Sequence, residues 1–163
     1  MKHLWRNIVL GTLGVGLVVI VVLLVAPKSP IPPTVTKQLT STLLVPKGGG
    51  AVIDRESANY SKSEKLLIYT VAYAGTSIIV SEQPTPDSFI DIPDVYTKLV
   101  DGMNNYQTFE VNAGTVHLTR PKNLNGKQAA VLNAKGTLLF AKPAADLSDD
   151  QWRVLFNHLQ VSN

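Results

Sequence analysis

The chain contains no cysteine in 163 residues. That removes disulfides, thiol nucleophiles, Cys-ligated zinc and a lipidated cysteine anchor. Catalytic signatures are missing too. There is no HExxH zinc helix and no GxSxG nucleophile elbow, and Ser61-Lys62-Ser63-Glu64-Lys65 reads as a solvated turn rather than a Ser/Lys dyad. Lys47-Gly48-Gly49-Gly50 does not follow the P-loop pattern that cradles phosphate and reads as a loop. No calcium loop of D-x-[DN]-x-[DN]-G form occurs. His3, His117 and His158 share no metal-ligand spacing, so each is read as structural. No catalytic, cofactor-binding or metal-binding residue is expected, and no cofactor.

Charge makes up only 17% of the residues, and its sign is unevenly placed. The pI of about 9.2 suggests a nucleic-acid footprint. Yet Lys2, Arg6 and Lys28 flank one apolar run, and from Pro30 onward the remaining 12 Lys/Arg meet all 12 Asp/Glu. The net charge there is zero, and no nucleic-acid partner is expected.

What the chain does have is an uninterrupted apolar run, Ile8 to Ala26, without charge or proline. As a helix its 19 residues span roughly 28 Å, close to the hydrocarbon core of a bilayer. The run exceeds a signal-peptide h-region. Its end, Leu24-Val25-Ala26-Pro27, puts Leu where a cleavage site needs a small residue. An uncleaved signal anchor is therefore expected, with the N-terminus in the cytoplasm and Trp5 at the interface. Thr12 and Gly16 fit small-xxx-small, too little to set an oligomeric state. The expected organisation is a cytoplasmic head at 1–7, a transmembrane anchor at 8–26, a Pro-rich linker at 27–35 and an extracytoplasmic domain at 36–163. The linker stretch PKSPIPP reads as an extended spacer.

Within the domain, Leu43–Val45 reads as a short strand. Ala51–Lys65 reads as polar and turn-rich. Lys65–Ala74 reads as a strand buried on both faces in its middle, and Ser77–Glu82 as its hairpin partner, stopped by Pro84 and Pro86. Tyr96, Leu99, Val100 and Met103 lie on one helical face behind Pro93. Four strands follow, over Tyr106–Asn112, Thr115–Arg120, Gln128–Asn133 and Thr137–Lys142. Ser148 and Gln151 form a capping box for a last helix, whose stripe is Trp152, Leu155, Phe156 and Leu159. This stripe is a core face or, alternatively, a partner-binding face. The expected class is α+β: a transmembrane helix plus a mostly antiparallel sheet of six to seven strands with two helices.

From Thr115 to Leu159 the order is strand, loop, strand, tight turn, strand, then Leu147-Ser148-Asp149-Asp150-x-Trp152 opening a helix. This layout resembles the α+β ectodomains of uncharacterised small bacterial single-pass membrane proteins, of the anti-sigma-factor-associated or lipoprotein-carrier-like kind. The resemblance implies a membrane-anchored extracytoplasmic domain and supplies no catalytic residues.

Between Val111 and Ala145 there are five bases and no acid. Arg120, Lys122, Lys127, Lys135 and Lys142 are thus candidate contacts to an anionic surface, as well as lysines that guard sheet edges. The leading expectation is a membrane-tethered, non-enzymatic binding or sensor-like module. Its partners would be the bilayer and an envelope protein or anionic polymer. The alternatives are a carrier holding an apolar ligand, lipid or lipoprotein, between sheet and helices, and a cell-envelope hydrolase.

Overall fold

The computed structural model describes residues 29–92 and 94–162. The anchor at 8–26, its flanking head and Pro93 lie outside the described residues. Among the described residues no helix is long and apolar enough to cross a membrane.

The described chain is α+β. In order it forms α1 (Pro33–Thr36), β1 (Leu43–Pro46), β2 (Val52–Ser61), β3 (Leu66–Tyr73), β4 (Thr76–Pro84), α2 (Ser88–Asp91) and α3 (Val95–Gly102). Then follow β5 (Asn105–Val111), β6 (Gly114–Thr119), a 3-10 turn (Lys122–Leu124), β7 (Ala129–Ala134), β8 (Thr137–Pro143), α4 (Asp149–Asn157) and β9 (Leu159–Ser162). Seven strands make one antiparallel sheet in the order β2-β3-β4-β8-β7-β6-β5. β1 and β9 pair separately as a two-stranded ribbon.

Local chemistry sets the hairpins. Ala74-Gly75 and Lys135-Gly136 join their strands through two-residue turns in which both φ angles are positive. That geometry matches the right-handed twist of paired strands. It places the β3–β4 turn at Ala74-Gly75.

The sheet's inner face carries the core. Tyr69, Val80, Ala141, Ala130 and Leu118 form one buried row across five strands through consecutive register pairs. α4 covers this face with Trp152, Leu155 and Phe156, all buried. Its capping box is present: Ser148 Oγ accepts from the Gln151 N–H at 3.2 Å, and Gln151 Oε1 accepts from the Ser148 N–H at 2.8 Å. The helix ends at Asn157, so Leu159, the fourth stripe residue, sits in β9 and packs half-buried against the same core.

Three further expectations from sequence meet a different outcome. The Ala51–Lys65 stretch is mostly an edge strand, β2. It reads as polar because the strand has only one neighbour and bulges between Asp54 and Asn59. There the Ser57 hydroxyl takes over from a backbone carbonyl and accepts the Thr70 N–H at 2.8 Å. Second, the linker reaches into the domain: Ile31 is fully buried in the core and Pro33–Thr36 is helical, so the packed domain includes residues ahead of 36. Third, four helices occur where two were expected, because α1 and α2 are single turns.

β3 was expected to be buried on both faces in its middle. Instead it alternates, with Leu67, Tyr69, Val71 and Tyr73 buried and Ile68 and Ala72 exposed. The outer face of the sheet is where the fold leaves something unfinished.

Candidate functional site

Only half of the outer face is covered. α2 and α3 lie over β6 and β7: the Phe89 and Tyr96 rings are 5.4 Å apart, and Tyr96 meets His117 edge-on at 5.7 Å. Burial lifts the Tyr96 phenol to about 12 and lowers His117, whose Nδ1 lies 3.1 Å from Thr108 Oγ1. Beneath this cover Val131 is fully buried, and Val100 of α3 itself is nearly so.

The same cross-strand row continues from Val131 to Phe140, Ser81 and Ile68. Along it Val131 is 0% exposed and Ile68 is 40% exposed. Ile79, in the next row between Thr70 and Lys142, is 46% exposed. The uncovered floor is therefore made of isoleucines and a phenylalanine on interior strands. Monomer surfaces do not ordinarily leave such residues contiguous without a use.

α3 and the 121–127 loop wall this floor into a groove of about 510 Å³, lined by Leu66, Ile68, Ile79, Ser81, Leu99, Met103, Pro121, Asn123, Leu124, Ala129, Phe140, Ala141 and Lys142. Ile79, Asn123, Leu124 and Lys142 also border an adjoining recess of about 280 Å³, where Lys127 joins the wall. On the α3 side, Leu99, Met103, Pro121 and Asn123 are shared with a third recess that carries Lys98 and Lys122. Four lysines thus rim a continuous apolar depression, and no carboxylate lines any of its three parts.

The candidate residues from sequence fall into separate places. Lys122, Lys127 and Lys142 come together on this rim. Lys135 lies in the β7–β8 turn and lines none of the three recesses. Arg120 is engaged elsewhere: it donates to Asp146 Oδ2 at 2.8 Å and to the Gly126 carbonyl at 2.9 Å, and its guanidinium stands 5.4 Å over the Tyr106 ring. Trp152, Leu155 and Phe156 face the inner core, away from the groove.

The groove floor itself is absent from the sequence expectations. A signal for it existed: Leu66-Leu67-Ile68 and Ile78-Ile79-Val80 are apolar on both faces. Sequence reads such runs as doubly buried strands, whereas this fold supplies cover for one face only.

The recess described on the inner face is much smaller. The gap among Tyr69, Val71, Leu139, Leu155 and Phe156 holds about 10 Å³, room for about one water. Glu82 is buried on this face. Its carboxylate accepts from the Leu44 N–H at 2.9 Å and from the Tyr69 hydroxyl at 2.7 Å, and burial pushes its pKa up to about 7. It ties the β1–β9 ribbon to the sheet. Among the described residues no group of three His, Cys, Asp or Glu could hold a metal ion. No family model, no curated protein and no solved structure matches the chain.

Proposed function

We propose that this protein is a membrane-tethered, extracytoplasmic, non-enzymatic binding module, and that its ligand site is the outer-face groove. The apolar run at Ile8–Ala26 supplies the tether. The observation that carries the ligand reading is the bare apolar floor of Ile68, Ile79 and Phe140, walled by Leu99, Met103 and Leu124. Covering a fully exposed Ile side chain is worth about 1.5–3 kcal/mol, and Ile68 and Ile79 are each a little under half exposed, so the floor adds about 1–3 kcal/mol to what the ligand gains by burying its own apolar surface. A volume near 510 Å³ falls within the usual range for small-molecule sites. The carrier reading is thereby merged with the binding-module reading, but on the face opposite to the packed core.

Because the chain has no cysteine, Asn123→Cys places a single thiol on the groove rim. In intact cells expressing the full chain, a membrane-impermeant maleimide modifies this thiol if the domain faces outward. Labelled instead with an environment-sensitive dye, the full chain in nanodiscs shows a blue-shifted emission when an alkyl ligand fills the groove. Protection from the impermeant reagent would refute the topology. An emission insensitive to every alkyl compound would refute the site.

A further inference from the structure

Resting on the groove as the ligand site, we infer that its occupant is a single anionic amphiphile: one alkyl chain on the sheet floor, its carboxylate or phosphate head between Lys127 and Lys142. Two features of the floor select an alkyl chain over a peptide. First, β3, β4 and β8 each have a hydrogen-bonded neighbour on both sides, so their backbone N–H and C=O groups are spent in the ladder. A peptide laid across them would bury its own amides without partners, a cost an alkyl chain does not carry. Second, the lining offers few polar side chains, chiefly Ser81 and Asn123.

The head end follows from the rim. Lys142 stands beside Ile79 in the register, and Lys127 lies across the shared recess. The apolar end is Leu66. It lies four residues along β3 from Thr70, the partner of Ile79, or roughly 13 Å at 3.3 Å per residue. A polar head and an apolar tail thus have distinct places: Lys127 and Lys142 flank the recess at the head end, Lys98 and Lys122 stand on the α3 side, and no acid lies along the lining. A bilayer surface is the poorer occupant. The floor is recessed behind α3 and the 121–127 loop, and the chain comes into the domain through Ile31, which is buried in the inner-face core.

The test uses the full chain in nanodiscs of neutral phosphatidylcholine. Three photoactivatable probes with the same alkyl chain are compared: a carboxylate, a phosphate monoester and an alcohol. Crosslinked peptides are mapped by mass spectrometry. The expected result is labelling of β3, β4 and β8 outer-face residues by one or both anions, at least tenfold above the alcohol. The stronger anion identifies the head. In Lys127→Gln/Lys142→Gln the anions fall to the level of the alcohol, while Lys135→Gln leaves the pattern unchanged. Lys127, Lys135 and Lys142 are exposed, so these variants keep the fold.

Equal labelling by alcohol and anions, unaffected by the double variant, overturns the charged-head inference and leaves the groove standing as an apolar site. Absence of groove labelling by all three probes overturns both. Labelling by a photoactivatable diacyl lipid of an anionic bilayer, but by none of the single-chain anions, also overturns the inference, in favour of surface docking.

Discussion

The hydroxyl of Tyr69 lies 2.7 Å from Glu82 Oε1 and 3.1 Å from the Leu44 carbonyl, with one proton to give. When Glu82 is ionised, that proton serves the carboxylate. When Glu82 is protonated, the acid donates to the phenol oxygen and the phenol turns to Leu44. Both states satisfy the buried groups, and this is how a carboxyl group is tolerated beneath β1.

The stability of the domain therefore depends on pH. Burial raises the folded-state pKa of Glu82 from 4.5 to about 7, against the opposing pull of the Leu44 N–H and the Tyr69 hydroxyl. A raised carboxylate pKa means that the folded state binds more protons than the unfolded chain between those two values. The Glu82 contribution to stability is then fullest below about 4.5, falls as pH rises toward 7 and levels off above it. The shift corresponds to about 3 kcal/mol at most. Glu82→Gln keeps an acceptor for Leu44 and a donor for the phenol oxygen, and should flatten this slope. Urea denaturation of the full chain across pH 4.5–8, wild type against variant, measures it; parallel slopes would contradict the assignment.

The bare outer face predicts opposite costs for neighbouring residues. Ile78 is fully buried and Ile79 is 46% exposed. Ile78→Ala should cost about 2–5 kcal/mol, and Ile79→Ala about 0.5 kcal/mol or less. Equal losses in denaturant titrations would show that the outer face is covered after all.

Gln128 holds the start of α4 to the sheet. Its Oε1 accepts from the Leu147 N–H at 2.8 Å and from the Trp152 indole N–H at 3.1 Å, and its Nε2 donates to the Leu147 carbonyl and the Tyr106 oxygen. Gln128→Leu should destabilise the domain by about 3 kcal/mol, because two buried donors lose their acceptor at about 1–3 kcal/mol each. Tryptophan emission should change with it, since Trp152 loses its polar neighbour. An unaltered melting curve would rule out this role.

The triple glycine is a seat for His158. The His158 ring lies against Gly48 and Gly49, and the Lys47 N–H donates to the His158 carbonyl at 2.9 Å. A Cβ at Gly49 would stand 2.9 Å from His158 Nδ1, in a backbone with φ of +62°. Gly49→Ala should cost about 1–3 kcal/mol from backbone strain, plus the steric clash. Gly50→Ala, with open space around it, should show the strain alone. Adding His158→Ala should relieve Gly49→Ala in part and leave Gly50→Ala unchanged, readable in a double-mutant cycle.

The triple glycine also shows how reading by motif falls short. Because GxxxxGK[ST] is absent, sequence reads it as a loop rather than a phosphate cradle. Nothing local indicates that a histidine more than 100 residues away needs its missing Cβ atoms. The β2 strand was illegible for a related reason. An edge strand with a bulge answers to one neighbour and to solvent, so its residues carry no clear period.

Local chemistry alone determined the hairpins, the Ser148–Gln151 cap, the inward stripe of α4 and the set of side chains that share each strand face. These follow from periods of 2 and 3.6 and from the few residues that turn geometry accepts. Tertiary structure decided which faces receive cover. α4 and the β1–β9 ribbon landed on the inner face, α3 on half of the outer one, and the remaining half stayed bare beside four lysines. Periodicity groups residues by face, but covering a face depends on contacts between segments far apart in sequence, whose pairing no local pattern encodes. In this protein that long-range choice created the groove.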